Sequence, residues 1–189
     1  GIILGKDVLT SHDWFIKNCN IHDCPSFGIN VSTDAYNIVI GDTSALSTAT
    51  FNSYSNHIFD CGYAGIGMSG CNPNTGISDF YIIYNYINNI NINGSDNENS
   101  YGIYFSSGVN STNETKYCYA KFNLVENIPN WEGIDCHNGQ FLYFQDNHIK
   151  NCKYGICCQS VNKSESWAPV LNNLFIERNI IENTMGHFN

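Results

Sequence analysis

N-H-I-F-D-C-G-Y-A-G-I-G-M, Asn56 to Met68, decides the fold, because the chain keeps repeating it. An asparagine is followed two positions later by a β-favouring apolar residue. A second small or apolar residue comes three further on, and then Gly-Ile. The phrase reads C-N-I-H-D-C-P-S-F-G-I-N-V from Cys19 and N-H-I-K-N-C-K-Y-G-I-C-C from Asn147. It reads N-L-V-E-N-I-P-N-W-E-G-I-D-C from Asn123, and it is split into N-Y-I-N-N-I at Asn85 and Y-G-I-Y-F at Tyr101. A degenerate copy, N-I-I-E-N-T-M-G-H-F, starts at Asn179.

The apolar anchors are Ile21, Ile58, Ile87, Val125, Ile149 and Ile181, so the intervals are 37, 29, 38, 24 and 32 residues. A constant coil with loops of variable length accounts for that spread. Short runs such as W-F-I, F-Y-I-I-Y, L-Y-F and L-F-I precede the anchors. They alternate and are punctuated by Gly and Asn, which reads as strands, and no segment sustains a 3.6-residue period. Several strands per repeat, copy stacked on copy, is a β-solenoid.

Period two then assigns faces. Ile29, Ile66, Ile103, Ile134 and Ile156 form one inward column, and Val31, Met68, Phe105, Cys136 and Cys158 a second. Cys24, Cys61, Ile90, Ile128 and Cys152 form a third. Five of nine cysteines thus occupy small apolar core positions, where reduced thiols behave as hydrophobes. Cys24 and Cys61 on neighbouring rungs are also within disulfide reach. Asn56, Asn85, Asn123, Asn147 and Asn179 recur at one corner and predict an amide ladder.

Eight Lys and Arg against 17 Asp and Glu give a net charge of −9, which disfavours nucleic acid and anionic membrane surfaces. No apolar run approaches the ~20 residues of a membrane-spanning helix. With 13% charged residues, much of the polar surface falls to 29 asparagines. The chain reads as one domain, residues 1–189. Gly1-Ile2-Ile3-Leu4 aligns with Gly28-Ile29-Asn30-Val31, and the last residues stop mid-rung at M-G-H-F-N. The expectation is a segment of about six rungs from a longer β-helix, truncated at both ends.

The N-x-I-x-x-C/I…G-I phrase resembles the single-stranded right-handed parallel β-helix superfamily, the pectin-lyase-like fold, over essentially the whole chain. That fold hosts lyases, hydrolases, epimerases and phage tailspikes, so it leaves activity open. A narrower resemblance lies in G-I-D-C-H, Gly133 to His137, which is similar to the G-F-D-P-H segment of alginate C5-epimerases. It implies catalytic roles for Asp135 and His137. Cys136 stands in place of the family's proline, and Glu132 in place of its tyrosine.

The residues one and three after each Gly-Ile pair face outward. Those columns read Asn30, Gly67, Tyr104, Asp135, Cys157 and Ser32, Ser69, Ser106, His137, Gln159. Asp135 and His137 are the carboxylate and imidazole in them, about 7 Å apart along one face, and Tyr104 is one rung from Asp135. Such a trio can move protons beside a carboxyl-bearing carbon or protonate a leaving oxygen. Glu132, just before the strand, is a candidate second carboxylate for glycoside hydrolysis. Trp131, Lys153 and Gln159 are candidate substrate contacts, and Trp167 a further sugar-stacking aromatic. The structural alternative is a polar pair on a solvated strand, with aromatics in core or loop packing.

One arginine and seven lysines are few cations for gripping a polyuronate, so a neutral or weakly charged glycan fits better. Lys121, Lys153 and Arg178 are cations near Asp135 in repeat terms. No metal or cofactor is expected at these residues. Asp96 and Glu98 are candidates for calcium, although N-G-S-D-N-E-N lacks full EF-hand spacing.

The reading is a carbohydrate-processing β-helix, of lyase, epimerase or hydrolase type. The alternative is a non-catalytic recognition or adhesion shaft of the tailspike or cell-surface kind. Either takes a polysaccharide or cell-surface glycan as partner, at an extracellular, cell-surface or virion location. Resemblance to tailspikes implies a homotrimer.

Overall fold

The computed structural model describes residues 1–4, 11–31, 35–43, 54–68, 77–92, 99–106, 115–160 and 171–185. These residues are all-β, with sixteen strands and parallel pairing throughout. No helix long and apolar enough to cross a membrane occurs among them.

The strands fall into three parallel stacks that the chain visits in turn. The first holds β3 (Asn20–Cys24), β6 (Asn56–Cys61), β9 (Asn85–Asn88) and the opening residues of β12 (Leu124–His137) and β14 (His148–Gln159), ending on β16 (Ile180–Glu182). The second holds β1 (Ile2–Leu4), β4 (Phe27–Val31), β7 (Ala64–Met68), β10 (Tyr101–Ser106) and the closing residues of β12 and β14. These two stacks make one sheet, because β12 and β14 run through both. The pairing of β12 with β14 shifts between Ile128 and Glu132, where one stack gives way to the other.

The third stack is a separate six-stranded sheet. It comprises β2 (Ser11–Ile16), β5 (Ala35–Gly41), β8 (Ile77–Ile83), β11 (Lys116–Lys121), β13 (Gly139–Gln145) and β15 (Leu171–Glu177). Returning to each stack once per repeat is the arrangement a solenoid requires.

The inward columns read from the sequence are the registers observed. Ile29 pairs Ile66, Ile66 pairs Ile103, Ile103 pairs Ile134, and Ile134 pairs Ile156. Ile2 pairs Ile29 and Leu4 pairs Val31, as the alignment of the first residues predicts. Phe80, Cys118 and Leu142 line the third stack's inner side, beside Ile82, Ala120 and Phe144. Bulk is compensated across the core. Phe105 packs against Phe80 and Phe144, at ring distances of 6.2 and 5.4 Å, while the small Cys118 and Ala120 sit on the strand between those two rings.

The corner ladder also forms. Asn56 Nδ2 donates to Asn85 Oδ1 (2.8 Å), Asn85 Nδ2 to Asn123 Oδ1 (3.0 Å), Asn123 Nδ2 to Asn147 Oδ1 (3.0 Å), and Asn147 Nδ2 to Asn179 Oδ1 (2.9 Å). Each amide also donates to a backbone carbonyl of the third stack, closing the corner. All eight described cysteines are free thiols, Cys24 and Cys61 included. Burial pushes the Cys61 thiol up to about 12, with Cys24 adding to it.

Candidate functional site

β12 presents the sequence-named residues. Ile134 and Cys136 belong to the core, so by alternation Asp135 and His137 point to the opposite face. Facing away from the core does not expose Asp135. Its relative exposure is 0%, so the structural alternative of a polar pair on a solvated strand does not describe it. Glu132, expected just before the strand, lies within β12 and is buried as well. It pairs with Tyr101 on one side and Tyr154 on the other. Tyr101 is buried, and the carboxyls of Asp135 and Glu132 lie near enough to help raise its hydroxyl.

The carboxyl oxygens of Glu132 and Asp135 and the sulfur of Cys157 lie within 4.8 Å of one another. Asp135 and Cys157 are register partners on β12 and β14, which places them side by side. Glu132 Oε2 and both Asp135 oxygens are buried with no fixed donor among the described residues other than a proton shared within the cluster. Burial pushes the Asp135 carboxyl far above the ordinary carboxylate range, to about 9, and the neighbouring Glu132 adds to the shift. Burial raises Glu132 too. Two carboxylates in contact, both out of water, cannot both stay charged without a cation or a shared proton.

Tyr104 and Cys157 are partly buried, and His137 reaches solvent, with its side chain 22% exposed. Its Nε2 lies 3.4 Å from Asp135 Oδ2. Burial pushes the imidazole below its usual value, so the ring is neutral under ordinary conditions. Its contact with Asp135 is therefore not a pairing of full charges. Gln159, on the next strand, lies 2.7 Å from the same Nε2 and holds the ring.

Tyr104 pairs in register with Asp135, yet its ring packs elsewhere. It stacks on Tyr101 at 4.5 Å and meets His137 edge-on at 5.7 Å. Trp131 is partly buried and edge-on to Tyr154, while Lys153 Nζ stands 5.0 Å from the Trp131 ring centroid. Of the other nearby cations, Lys121 lies over Tyr119 and Tyr143, and Arg178 is held by Asp146 and Glu177. The cluster thus brings together Tyr104, Glu132, Asp135 and His137, with Gln159 against the imidazole and Lys153 against Trp131. Trp167 and the calcium candidates Asp96 and Glu98 lie outside the described residues.

Two features were not read from the sequence. Cys157 belongs to the carboxyl cluster, and the signal for it was its place one rung from Asp135 in the outward column. The second is a run of aromatics on the outer side of the third stack: Tyr81, Tyr119, Tyr143 and Phe175. Their rings stack at 4.6, 4.8 and 4.7 Å, nearly parallel. They occupy one register position, legible once the β-rich runs are aligned.

No family model matches the chain, and neither does any curated protein or solved structure.

Proposed function

We propose that the chain is a right-handed parallel β-helix of the pectin-lyase-like kind that processes a glycan, with His137 as the acid/base group meeting the sugar. The observation that carries this reading is the buried Asp135 carboxyl 3.4 Å behind the partly exposed His137 imidazole. A neutral imidazole beside a carboxyl can take a proton and return it, with Gln159 holding the ring at Nε2 and the carboxyl steadying the charge that forms. Asp135 has no access to substrate, so it is a positioning residue. Tyr104 packs against His137 from the neighbouring strand, and Glu132 supports Asp135 from below. Gln159 touches the imidazole, and Trp131 with Lys153 over its ring is offered as a sugar contact.

The spacing of the carboxyls bears on the reaction type. Hydrolysis by two carboxyls needs them on either side of the bond, at least about 5 Å apart. Glu132 and Asp135 instead press their ligand atoms within 4.8 Å, both buried. Elimination or epimerisation by proton transfer fits better than hydrolysis. That chemistry acts beside a sugar carboxyl, and a chain of net charge −9 suits a glycan with sparse uronates better than a polyanion.

The aromatic ladder favours a second reading, a recognition shaft that holds sugars without turning them over. Proton NMR time courses on neutral and acidic polysaccharides separate the two. The expected result is turnover that His137→Gln lowers at least ~100-fold, the usual scale of a lost general acid or base. Asp135→Asn should lower kcat with KM unchanged. Binding without turnover on every glycan, unaltered in both variants, sinks the enzyme reading and leaves the shaft.

A further inference from the structure

We infer that Glu132, Asp135 and Cys157 form a binding site for a divalent transition-metal ion of the zinc class. Among the described residues this is the group of carboxyl, imidazole and thiol ligands close enough to hold one ion, with donor atoms within 4.8 Å of one another. Zinc bonds of about 2.0–2.3 Å hold tetrahedral ligand atoms roughly 3.5 Å apart. Contraction of about an ångström closes the site, within reach of side-chain rotation.

The independent observation is the state of the carboxyl oxygens. Asp135 has no exposure, Glu132 is 2% exposed, and Glu132 Oε2 and both Asp135 oxygens have no fixed donor among the described residues beyond a proton that the two carboxyls or the Cys157 thiol would share with them. Buried acceptors aimed into one small space without donors are costly unless something positive joins them. An ion does so for both carboxyls at once. The sheet fixes the donors beforehand, since Asp135 and Cys157 are register partners and Glu132 lies three residues back on the same strand.

Donor chemistry names the class of ion. Calcium takes six to eight oxygens and magnesium an oxygen octahedron, whereas a thiolate with two carboxylates selects zinc, cobalt or ferrous iron. Asp135 has two oxygens, so one can hold the ion while Oδ2 keeps its contact with His137. The site therefore coexists with the proposed acid/base pair and does not rest on it. Metal binding is read with no glycan present.

The test is a Co2+ titration of the reduced, metal-free full chain, followed by the near-ultraviolet thiolate-to-cobalt band. The expected result is one equivalent bound, a band that Zn2+ abolishes by displacement, and loss of the band in Cys157→Ala. Cys19→Ala, which removes a thiol just before β3, should keep it. Asp135→Asn should weaken Co2+ at least tenfold. If that variant does not fold, the wild-type and Cys157→Ala titrations still decide. No band in the folded wild-type chain, or a band that survives Cys157→Ala, overturns the site.

Discussion

Asn123 shows how much one side chain holds in this architecture. Its Nδ2 donates to the Ile82 carbonyl at 2.9 Å and to Asn147 Oδ1 at 3.0 Å. Its Oδ1 accepts from the Asn85 amide at 2.9 Å and from Asn85 Nδ2. All of this is buried, so Asn123→Ala strands the Ile82 carbonyl and the Asn85 N–H where water cannot replace the lost partner. The expected loss is roughly 2–4 kcal/mol, or about 5–15 °C in Tm, read by thermal unfolding. A shift under one degree would show that the ladder is decorative. The recurrence of asparagine made this ladder legible in the sequence. A second device was not legible. Asp23, Asp60, Asn89, Asn127, Asn151 and Asn183 occupy one column, all left-handed with φ between 52° and 59°. Asn and Asp tolerate that conformation, but they are common everywhere in this chain. Tyr117 and Phe141 adopt it in another column at 53° and 54°, so residue type alone did not mark the bends.

At the scale of strands, the Gly-Ile phrase acquires a steric cause. A Cβ built on Gly133 would lie 2.5 Å from Ile149 Cγ2 and 2.8 Å from the Gly155 carbonyl. Gly28, Gly65, Gly102 and Gly155 meet a branched methyl in the same way, at Ile58, Ile87, Val125 and Ile181. The anchor of one turn thus occupies the space a side chain would need beside the previous Gly-Ile, which is why the two signals recur together. Gly133→Ala should cost about 1–3 kcal/mol through overpacking, measured by denaturant unfolding. Adding Ile149→Ala removes the clashing methyl, so the double variant should be more stable than the sum of the two single losses. Strict additivity would mean that the clash does not set the phrase. The same strand explains the partial legibility of the site. Period two sets Asp135 apart from the core residues Ile134 and Cys136, but that alternation carries no sign of its burial. Tyr101 and Cys157 approach Asp135 from sequence distances that no local pattern connects, while Glu132 stands only three residues back on the same strand.

Across the whole molecule, position along the stack should govern local stability. β12 is paired along both edges, with β9 and β10 on one side and β14 on the other. Among the described residues β16 has one neighbour. Ile149 and Ile181 hold the same column position, yet Ile149 is fully buried and Ile181 is 46% exposed. In a stack where each turn touches only its neighbours, stability is a sum of nearest-neighbour terms, and openings begin where one term is missing. Native-state hydrogen exchange should therefore be graded. Amides of Val125, Ile128, Ile134 and Cys136 should exchange through the largest openings. In a fragment of residues 1–189, those of β15 and β16 should exchange orders of magnitude faster, with intermediate turns ranked by distance from β16. Asn123→Ala should raise exchange most in the turns it bonds, those of Asn85 and Asn147, before it affects β1 or β16. Uniform protection along the chain, lost everywhere at once in the variant, would instead mean that the three stacks unfold as one cooperative unit. The local repeat would then describe the shape of the molecule without describing its energetics.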